Sequence, residues 1–175
     1  MTPNTALDTF IRDVPDFPKP GIMFKDITPL LRSAEALTAT CAQLADPFRD
    51  HGVTIVAGIE SRGFIFGSIV AQNLGAGFVP IRKPGKLPWT TRRHEYVLEY
   101  GSDALEIHDD ALSPADRVLV IDDVLATGGT LAAAMHLVRG FNATLVGAAV
   151  VIELEFLGGR AKLGDGATLH SVLRY

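Results

Sequence analysis

Residues 118–130 read Val-Leu-Val-Ile-Asp-Asp-Val-Leu-Ala-Thr-Gly-Gly-Thr, and the order of these parts decides the fold. Four apolar residues, Val118 to Ile121, run straight into the carboxylates of Asp122 and Asp123. A turn of Ala126, Thr127, Gly128, Gly129 and Thr130 follows, and then an alanine-rich helical stretch begins. The apolar run reads as a strand buried on both faces, since a half-exposed strand would alternate apolar with polar residues. A small-residue turn between such a strand and a helix points backbone N–H groups at an anion, and the helix N-terminus adds its dipole. Gly128 and Gly129 permit positive φ and close backbone approach. The acid pair read alone is a solvated turn. Beside this turn it suits sugar hydroxyls or a hydrated metal ion.

Working outward, apolar strands and helical stretches alternate. Residues 53–59 and 78–82 read as strands before the central one, and 144–152 and 168–174 as strands after it. Ser33 is placed to cap a helix running to 51, with Leu37, Cys41, Leu44 and Phe48 on one face and Pro47 set to kink it or end it early. Further helices are predicted over 64–74 and 130–139, with Gly75 and Gly140 as stop signals. Residues 1–32 carry Pro3, Pro15, Pro18, Pro20 and Pro29 and read as a short helix near 7–12 followed by an extended arm. Residues 83–95 form a long polar excursion, and 96–100 with 104–108 flank Gly101-Ser102-Asp103 as a hairpin. This order predicts an α/β fold, a mainly parallel twisted sheet flanked by helices. One domain would span 1–175, with 1–32 as an N-terminal arm and 83–103 as a β-hairpin lid.

Composition removes several function classes. A chain of 175 residues that is 47% hydrophobic has enough apolar surface for a sizeable core. Its formal net charge of −4 argues against nucleic-acid binding. The lone Cys41 rules out an internal disulfide and a thiolate metal site, and His51, His94, His108, His136 and His170 lack metal-ligand spacing. The N-terminus lacks the order of a signal peptide and no apolar run is long enough to span a bilayer, so a cytoplasmic protein with no membrane partner is expected.

Ligands of open parallel sheets bind beyond the carboxyl ends of the strands. Three polar turns fall at such ends, at 60–63, 82–86 and 122–130. The chain contains no Gly-Lys-Ser/Thr and no Gly-x-Gly-x-x-Gly after a strand, so it is neither a Walker A protein nor a fingerprinted dinucleotide binder. Arg82, Lys83, Lys86, Arg92 and Arg93 cluster in a run without an acidic residue. In an acidic chain such a cluster suits an anionic ligand. The length and polarity of 83–95 suggest a lid that closes to exclude water.

The acid pair and turn at 122–130 resemble the phosphoribosyl-pyrophosphate motif of type I phosphoribosyltransferases. Four other segments narrow the likeness: Asp16-Phe-Pro-Lys-Pro-Gly-Ile-Met-Phe-Lys-Asp-Ile-Thr-Pro29, Gly58-Ile-Glu-Ser-Arg-Gly-Phe-Ile-Phe-Gly67, Ile81-Arg-Lys-Pro-Gly-Lys-Leu-Pro88 and Leu98-Glu-Tyr-Gly101. Together they are similar to the adenine phosphoribosyltransferase branch over about residues 10–175. The resemblance implies a purine-salvage glycosyltransferase that joins adenine to phosphoribosyl pyrophosphate, giving AMP and pyrophosphate. It implies a homodimer and Mg²⁺ carried in by the diphosphate, with Asp122 able to reach the ion through water. Use of another purine, or a phosphoribosyl-pyrophosphate-sensing regulator on the same fold, are the competing readings.

Residue roles follow from the same likeness. Asp122 and Asp123 would hold the ribose hydroxyls, and Ala126, Thr127, Gly128, Gly129 and Thr130 the 5-phosphate. Ser61, Arg62, Arg82, Lys83 and Lys86 would take pyrophosphate, with Arg62 offering a fork to phosphate oxygens. Phe24 and Leu154 would sandwich adenine, whose edge the backbone of Met23 and Lys25 would read. Glu99 would be the catalytic carboxylate near the purine N7 and Tyr100 a lid residue over the reacting centre. Arg92 and Arg93 are read as surface charge, His94 as solvated, and Trp89 as exposed on the lid.

Overall fold

The computed structural model describes residues 5–97, 102–164 and 168–175. Its elements are α1 (Thr5–Asp8), β1 (Arg12–Val14), β2 (Phe24–Asp26), α2 (Thr28–Arg32), α3 (Ala34–Ala45), β3 (Ile55–Ile59), α4 (Gly63–Leu74), β4 (Gly77–Ile81), β5 (Thr91–Val97), β6 (Ser102–His108), β7 (Arg117–Leu125), α5 (Gly129–Arg139), β8 (Thr144–Glu153) and β9 (Leu169–Arg174). Among the described residues, five strands form one sheet in the order β4-β3-β7-β8-β9, every pair parallel. The apolar run at 118–121 lies in its central strand, and both faces of that strand are covered. Val118 and Val120 pack with Leu131, Met135 and Val138 of α5 and with Leu105 and Ile107 of β6. Leu119 and Ile121 pack with Cys41 and Leu44 of α3 and with Phe66 and Val70 of α4. Successive strand residues point to opposite faces, so two buried faces demand an unbroken apolar sequence.

Helix ends follow their local chemistry. The Ser33 hydroxyl accepts the Ala36 N–H at 3.2 Å and starts α3. Pro47 has no N–H to donate, and α3 stops at Ala45, where the chain tightens into a 3₁₀ turn over Asp46–His51. Gly75 ends α4 at φ +66, as a left-handed stop requires. Gly140 also follows its helix, but at φ −62, so α5 ends without a left-handed residue.

Three expectations are corrected. The central strand does not end at Ile121; it continues to Leu125, so Asp122 and Asp123 are buried strand residues rather than a turn. Pairing with β8 holds it extended, since Asp122 lies opposite Val150 and Leu125 opposite Glu153. The polar excursion ends at Thr90, because Thr91–Val97 pairs antiparallel with Ser102–His108. Its polar side chains pack by their stems and rings: Arg92 donates to the Gly140 carbonyl at 2.7 Å and lies 3.8 Å over the Phe141 ring, and His94 stacks on His136 at 3.9 Å. Arg92 stays exposed, as read, whereas His94 is half-buried against His136 rather than solvated. Finally, the N-terminal arm is not simply extended. β1 and β2 pair antiparallel, and the short helix lies at Thr5–Asp8 rather than 7–12.

Cys41 is buried as expected, and burial pushes its thiol up to about 12. Trp89 is exposed. No described helix is long and apolar enough to cross a membrane.

Candidate active site

The carboxyl ends of three neighbouring strands build the site. In the register of the sheet Ile59 of β3 lies opposite Ile81 of β4, and Gly58 opposite Ile121 of β7. The residues that follow, Glu60, Arg82 and Asp122, therefore share one edge. A cavity of about 210 Å³ opens there, lined by Glu60, Ser61, Arg62, Lys83, Asp122, Asp123 and residues 124–131. A larger depression of about 500 Å³ lies on the arm around Phe10, Arg12 and Arg32, away from these strand ends.

The turn at 126–130 begins α5. Gly128 precedes the helix at φ +83, and its carbonyl accepts the Ala132 N–H at 2.9 Å. The N–H groups of the first helical turn lack intrahelical acceptors and face the cavity side of the turn, together with the positive end of the helix dipole. Gly128 has a second role. A Cβ there would sit 2.2 Å from the Gly159 carbonyl oxygen, and a Cβ on Gly159 would sit 2.1 Å from that of Ala126. The two backbones pack directly on one another. Gly63 works similarly at the other wall: a Cβ would meet the Ile121 carbonyl oxygen at 2.8 Å, so only glycine brings α4 this close to the acid pair.

The cations are already paired. Arg62 places its Nε 2.5 Å from Asp123 Oδ2 and its guanidinium 5.9 Å from the Phe24 ring. Glu60 collects Arg82 (3.2 Å), Lys86 (2.5 Å) and the Lys83 N–H (3.1 Å). Lys83 Nζ is held by Asp103 and, at 3.1 Å, by the Tyr96 hydroxyl. That hydroxyl also lies 3.2 Å from Thr130 Oγ1, so β5 is tied to the turn at 126–130. Glu106 braces the same region by accepting the Gly85 N–H at 3.0 Å. Arg82 and Lys86 thus point to Glu60, and the cavity wall includes Lys83, Arg62 and Ser61 but neither of those two.

Burial sets the ionisation of the acids. Asp122 is raised well above its usual value, first by burial and then by the charge of Asp123, while its Oδ1 accepts the Asp123 N–H at 2.8 Å. Glu60 goes the other way. Burial disfavours its charge, but Lys86, the Lys83 N–H and Arg82 outweigh burial and hold it at about 2. A carboxyl lowered on folding stabilises the protein above its usual 4.5, and that contribution is lost as pH falls toward 2. Glu60→Gln should therefore lower the thermal midpoint at pH 7 by about 2–8 °C, taking about 1–2 kcal/mol for weakened charged hydrogen bonds and about 2–4 °C per kcal/mol at this chain length. The gap should shrink as pH drops from 5 to 2, as scanning calorimetry can follow; a constant gap would remove Glu60 as the acid-labile tie.

Met23, Phe24, Lys25 and Leu154, expected to hold the base, lie outside the wall of this cavity. Phe24 is half-buried and meets Phe17 edge-on at 5.1 Å, and Met23 is exposed. Lys25 pairs with Asp13 at 2.7 Å and lies over the Tyr175 ring. The Leu154 N–H donates to Leu125 at 2.9 Å, which sets Leu154 at the end of the central strand. Glu99 and Tyr100 lie outside the described residues. The peptide bond between Glu60 and Ser61 is cis.

Sequence reading missed Glu60 as counter-ion, Tyr96 and Asp103 as partners of Lys83, and Gly159 as the backing of the phosphate turn. A tyrosine on a strand that packs against the core needs a partner for its hydroxyl, a signal that could have drawn attention to Tyr96. The other three depend on contacts remote in sequence.

The phosphoribosyl transferase domain matches residues 24–162 of the chain. The adenine phosphoribosyltransferase of Nitrosococcus oceani is 54% identical over 169 residues, covering 97% of this chain and 98% of that protein. A crystal structure of the Rhodothermus marinus adenine phosphoribosyltransferase superposes with a TM-score of 0.92 at 52% identity, over 98% of this chain and 99% of the other. The Saccharomyces cerevisiae enzyme, solved with adenine and an imino-altritol bisphosphate, gives a TM-score of 0.91 at 39% identity, over 97% of each chain. With half or more of its residues inside the domain and a near full-length likeness to these proteins, the chain belongs to the phosphoribosyltransferase family, in its adenine phosphoribosyltransferase branch.

Proposed function

We propose that the cavity at the carboxyl ends of β3, β4 and β7 is where this purine-salvage enzyme joins adenine to phosphoribosyl pyrophosphate, releasing AMP and pyrophosphate. The observation that carries the assignment is convergence: a helix-initiating turn, two buried carboxylates and a cationic wall line one cavity of about 210 Å³. The turn of Ala126, Thr127, Gly128, Gly129 and Thr130 takes the 5-phosphate through backbone N–H groups and hydroxyls. Asp122 and Asp123 take the ribose hydroxyls. Arg62, Lys83 and Ser61 meet pyrophosphate first. Arg82 and Lys86 follow by exchanging Glu60 for the incoming anion, whose charge exceeds that of one carboxylate. Phe24 and Leu154 hold the adenine ring, and the backbone of Met23 and Lys25 reads its edge.

In the reaction the adenine N9–C1 bond forms while the bond from C1 to pyrophosphate oxygen breaks, through an oxocarbenium-like state. The carboxylates near the ribose favour the positive sugar, and the cations favour the leaving diphosphate. Glu99 holds or moves the proton at the purine N7, and Tyr100 covers the centre as the lid closes. Residues 83–103 supply that lid and residues 1–32 the arm over the base, in one domain spanning the chain.

Among the described residues no group of three or more His, Cys, Asp or Glu side chains is arranged as a metal site. Asp122 would hold, through a water, an Mg²⁺ ion that comes in with the diphosphate. When bound, the ion would offset diphosphate charge. The protein acts in the cytoplasm as a homodimer, which sedimentation velocity can check.

A magnesium-dependent assay of pyrophosphate release with a panel of purines tests the reading. Adenine should turn over fastest, since a site that reads a donor beside an acceptor rejects 6-oxopurines, where the pattern is reversed. Faster turnover of guanine or hypoxanthine would overturn the base assignment. Asp123→Ala should weaken phosphoribosyl-pyrophosphate binding by about tenfold, a charge-assisted hydrogen bond being worth roughly 1.5–3 kcal/mol. Unchanged affinity by calorimetric titration would remove Asp123 from the ribose site.

A further inference from the structure

The Gly128–Gly159 contact raises the question of what holds Gly159 in place. Gly159 starts the 3₁₀ turn Gly159–Leu163, far in sequence from residue 128 and flanked by Gly158 at φ +63. A segment of two glycines has little intrinsic preference for one conformation. The next residue, Arg160, supplies the fastening. Its Nε and Nη2 grip Glu153 Oε1 and Oε2 at 2.9 and 2.5 Å, and its Nη1 donates to the Leu169 carbonyl at 3.2 Å. Glu153 is itself fixed. It is the last residue of β8, its side chain is buried, and it lies in register opposite Leu125 of β7 on one side and Arg174 of β9 on the other. The Ser171 hydroxyl donates to Glu153 Oε2 at 2.5 Å, and Arg174 lies 3.6 Å away.

We propose that Glu153 and Arg160 are positioning residues for the 5-phosphate turn, acting through the Gly159 backbone that backs Ala126 and Gly128. Neither side chain lines the cavity. The bidentate fork sets both distance and orientation, which a single hydrogen bond does not. Its anchor stands on the same sheet register as the strand that feeds the turn: Leu125 pairs with Glu153, and Ala126 follows Leu125. The clip therefore locks the 158–160 segment against residues 126–128 from a rigid base. Pyrophosphate cations come from β3 and β4, two and three strands away from β8 in the sheet order β4-β3-β7-β8-β9. Loosening the clip should disturb one half of the site and spare the other.

This rests on reading residues 126–130 as the sugar-phosphate cradle, and the experiment separates the two. Dissociation constants of ribose 5-phosphate and of pyrophosphate are measured by calorimetry on wild-type protein, Gly128→Ala and Arg160→Met, the last retaining the aliphatic stem without the fork. Wild type should bind both ligands and Gly128→Ala should lose ribose 5-phosphate; if wild type does not bind it, the cradle reading itself fails. Arg160→Met should bind ribose 5-phosphate about tenfold or more weakly, with pyrophosphate affinity within twofold of wild type. Equal weakening of both ligands, or wild-type affinity for ribose 5-phosphate, overturns the positioning role. Arg160→Lys, which keeps the charge and loses the fork, reads the same ratio if Arg160→Met does not fold: a selective loss supports the role and a uniform one overturns it.

Discussion

Gly128→Ala should lower kcat/KM for phosphoribosyl pyrophosphate by about 100-fold or more, the scale expected when a binding group is displaced by about 1 Å. Two independent effects push the turn out of place. The residue sits at φ +83, where an alanine side chain costs about 1–2 kcal/mol. Its Cβ would also lie 2.2 Å from the Gly159 carbonyl oxygen and 2.9 Å from the carbonyl carbon, and both are backbone atoms held by the Arg160 clip. Neither side can yield without moving the first N–H groups of α5. Gly158→Ala is the internal control. It shares the left-handed strain at φ +63, yet a Cβ there meets nothing within 4 Å. Steady-state kinetics on the two variants should therefore differ by an order of magnitude or more. If Gly128→Ala and Gly158→Ala behave alike, backbone strain alone is responsible, and the close packing of 128 on 159 is not what holds the turn.

Glu99→Ala should lower kcat by about 10²–10⁴-fold, the usual contribution of a positioned acid or base, with phosphoribosyl-pyrophosphate affinity within about twofold of wild type. The asymmetry arises because N7 gains basicity or loses its proton only as the N9–C1 bond changes, so the group that meets it acts in the transition state. The last described strand residues before Glu99 are anchored to the phosphate turn, since the Tyr96 hydroxyl touches both Thr130 and Lys83. Glu99→Gln distinguishes the two modes of action. Substantial activity in the amide variant means hydrogen bonding suffices; a loss as large as that of Glu99→Ala means a proton moves. Unchanged turnover in Glu99→Ala would exclude Glu99 from the mechanism.

Like charges gathered at one strand edge repel, and each here has an internal carboxylate: Asp123 for Arg62, Glu60 for Arg82 and Lys86, Asp103 for Lys83. Binding an anion then becomes an exchange of counter-ions rather than a new burial of charge. On the proposed reading, such exchange would favour a highly charged diphosphate, because a weaker anion would gain too little to release the internal partners.

Much of the fold was legible because its signals are local. An unbroken apolar run dictates a strand covered on both faces, Ser33 and Pro47 set the limits of α3, and Gly75 ends α4. The glycine-rich turn before α5 and the neighbouring acid pair stood out for the same reason, being contiguous at 122–130. Errors arose where a neighbour in space overruled composition. Polar Thr91–Val97 is a strand because β6 supplies its hydrogen bonds and α5 accepts its long side chains. Asp122 and Asp123 remain in the strand because β8 pairs beyond Ile121.

By itself, then, the order of residues determined the layered α/β fold and the small-residue turn that opens α5, since periodicity and turn chemistry act between near neighbours. Only the tertiary structure decided which carboxylate guards which cation, that Gly128 must be bare because Gly159 lies against it, and that Glu153 and Arg160 fasten that contact. Most of those pairings join residues twenty or more positions apart, Glu153 and Arg160 being seven apart, and no rule of local spacing specifies them; they exist because parallel pairing brings the ends of separate strands to one edge.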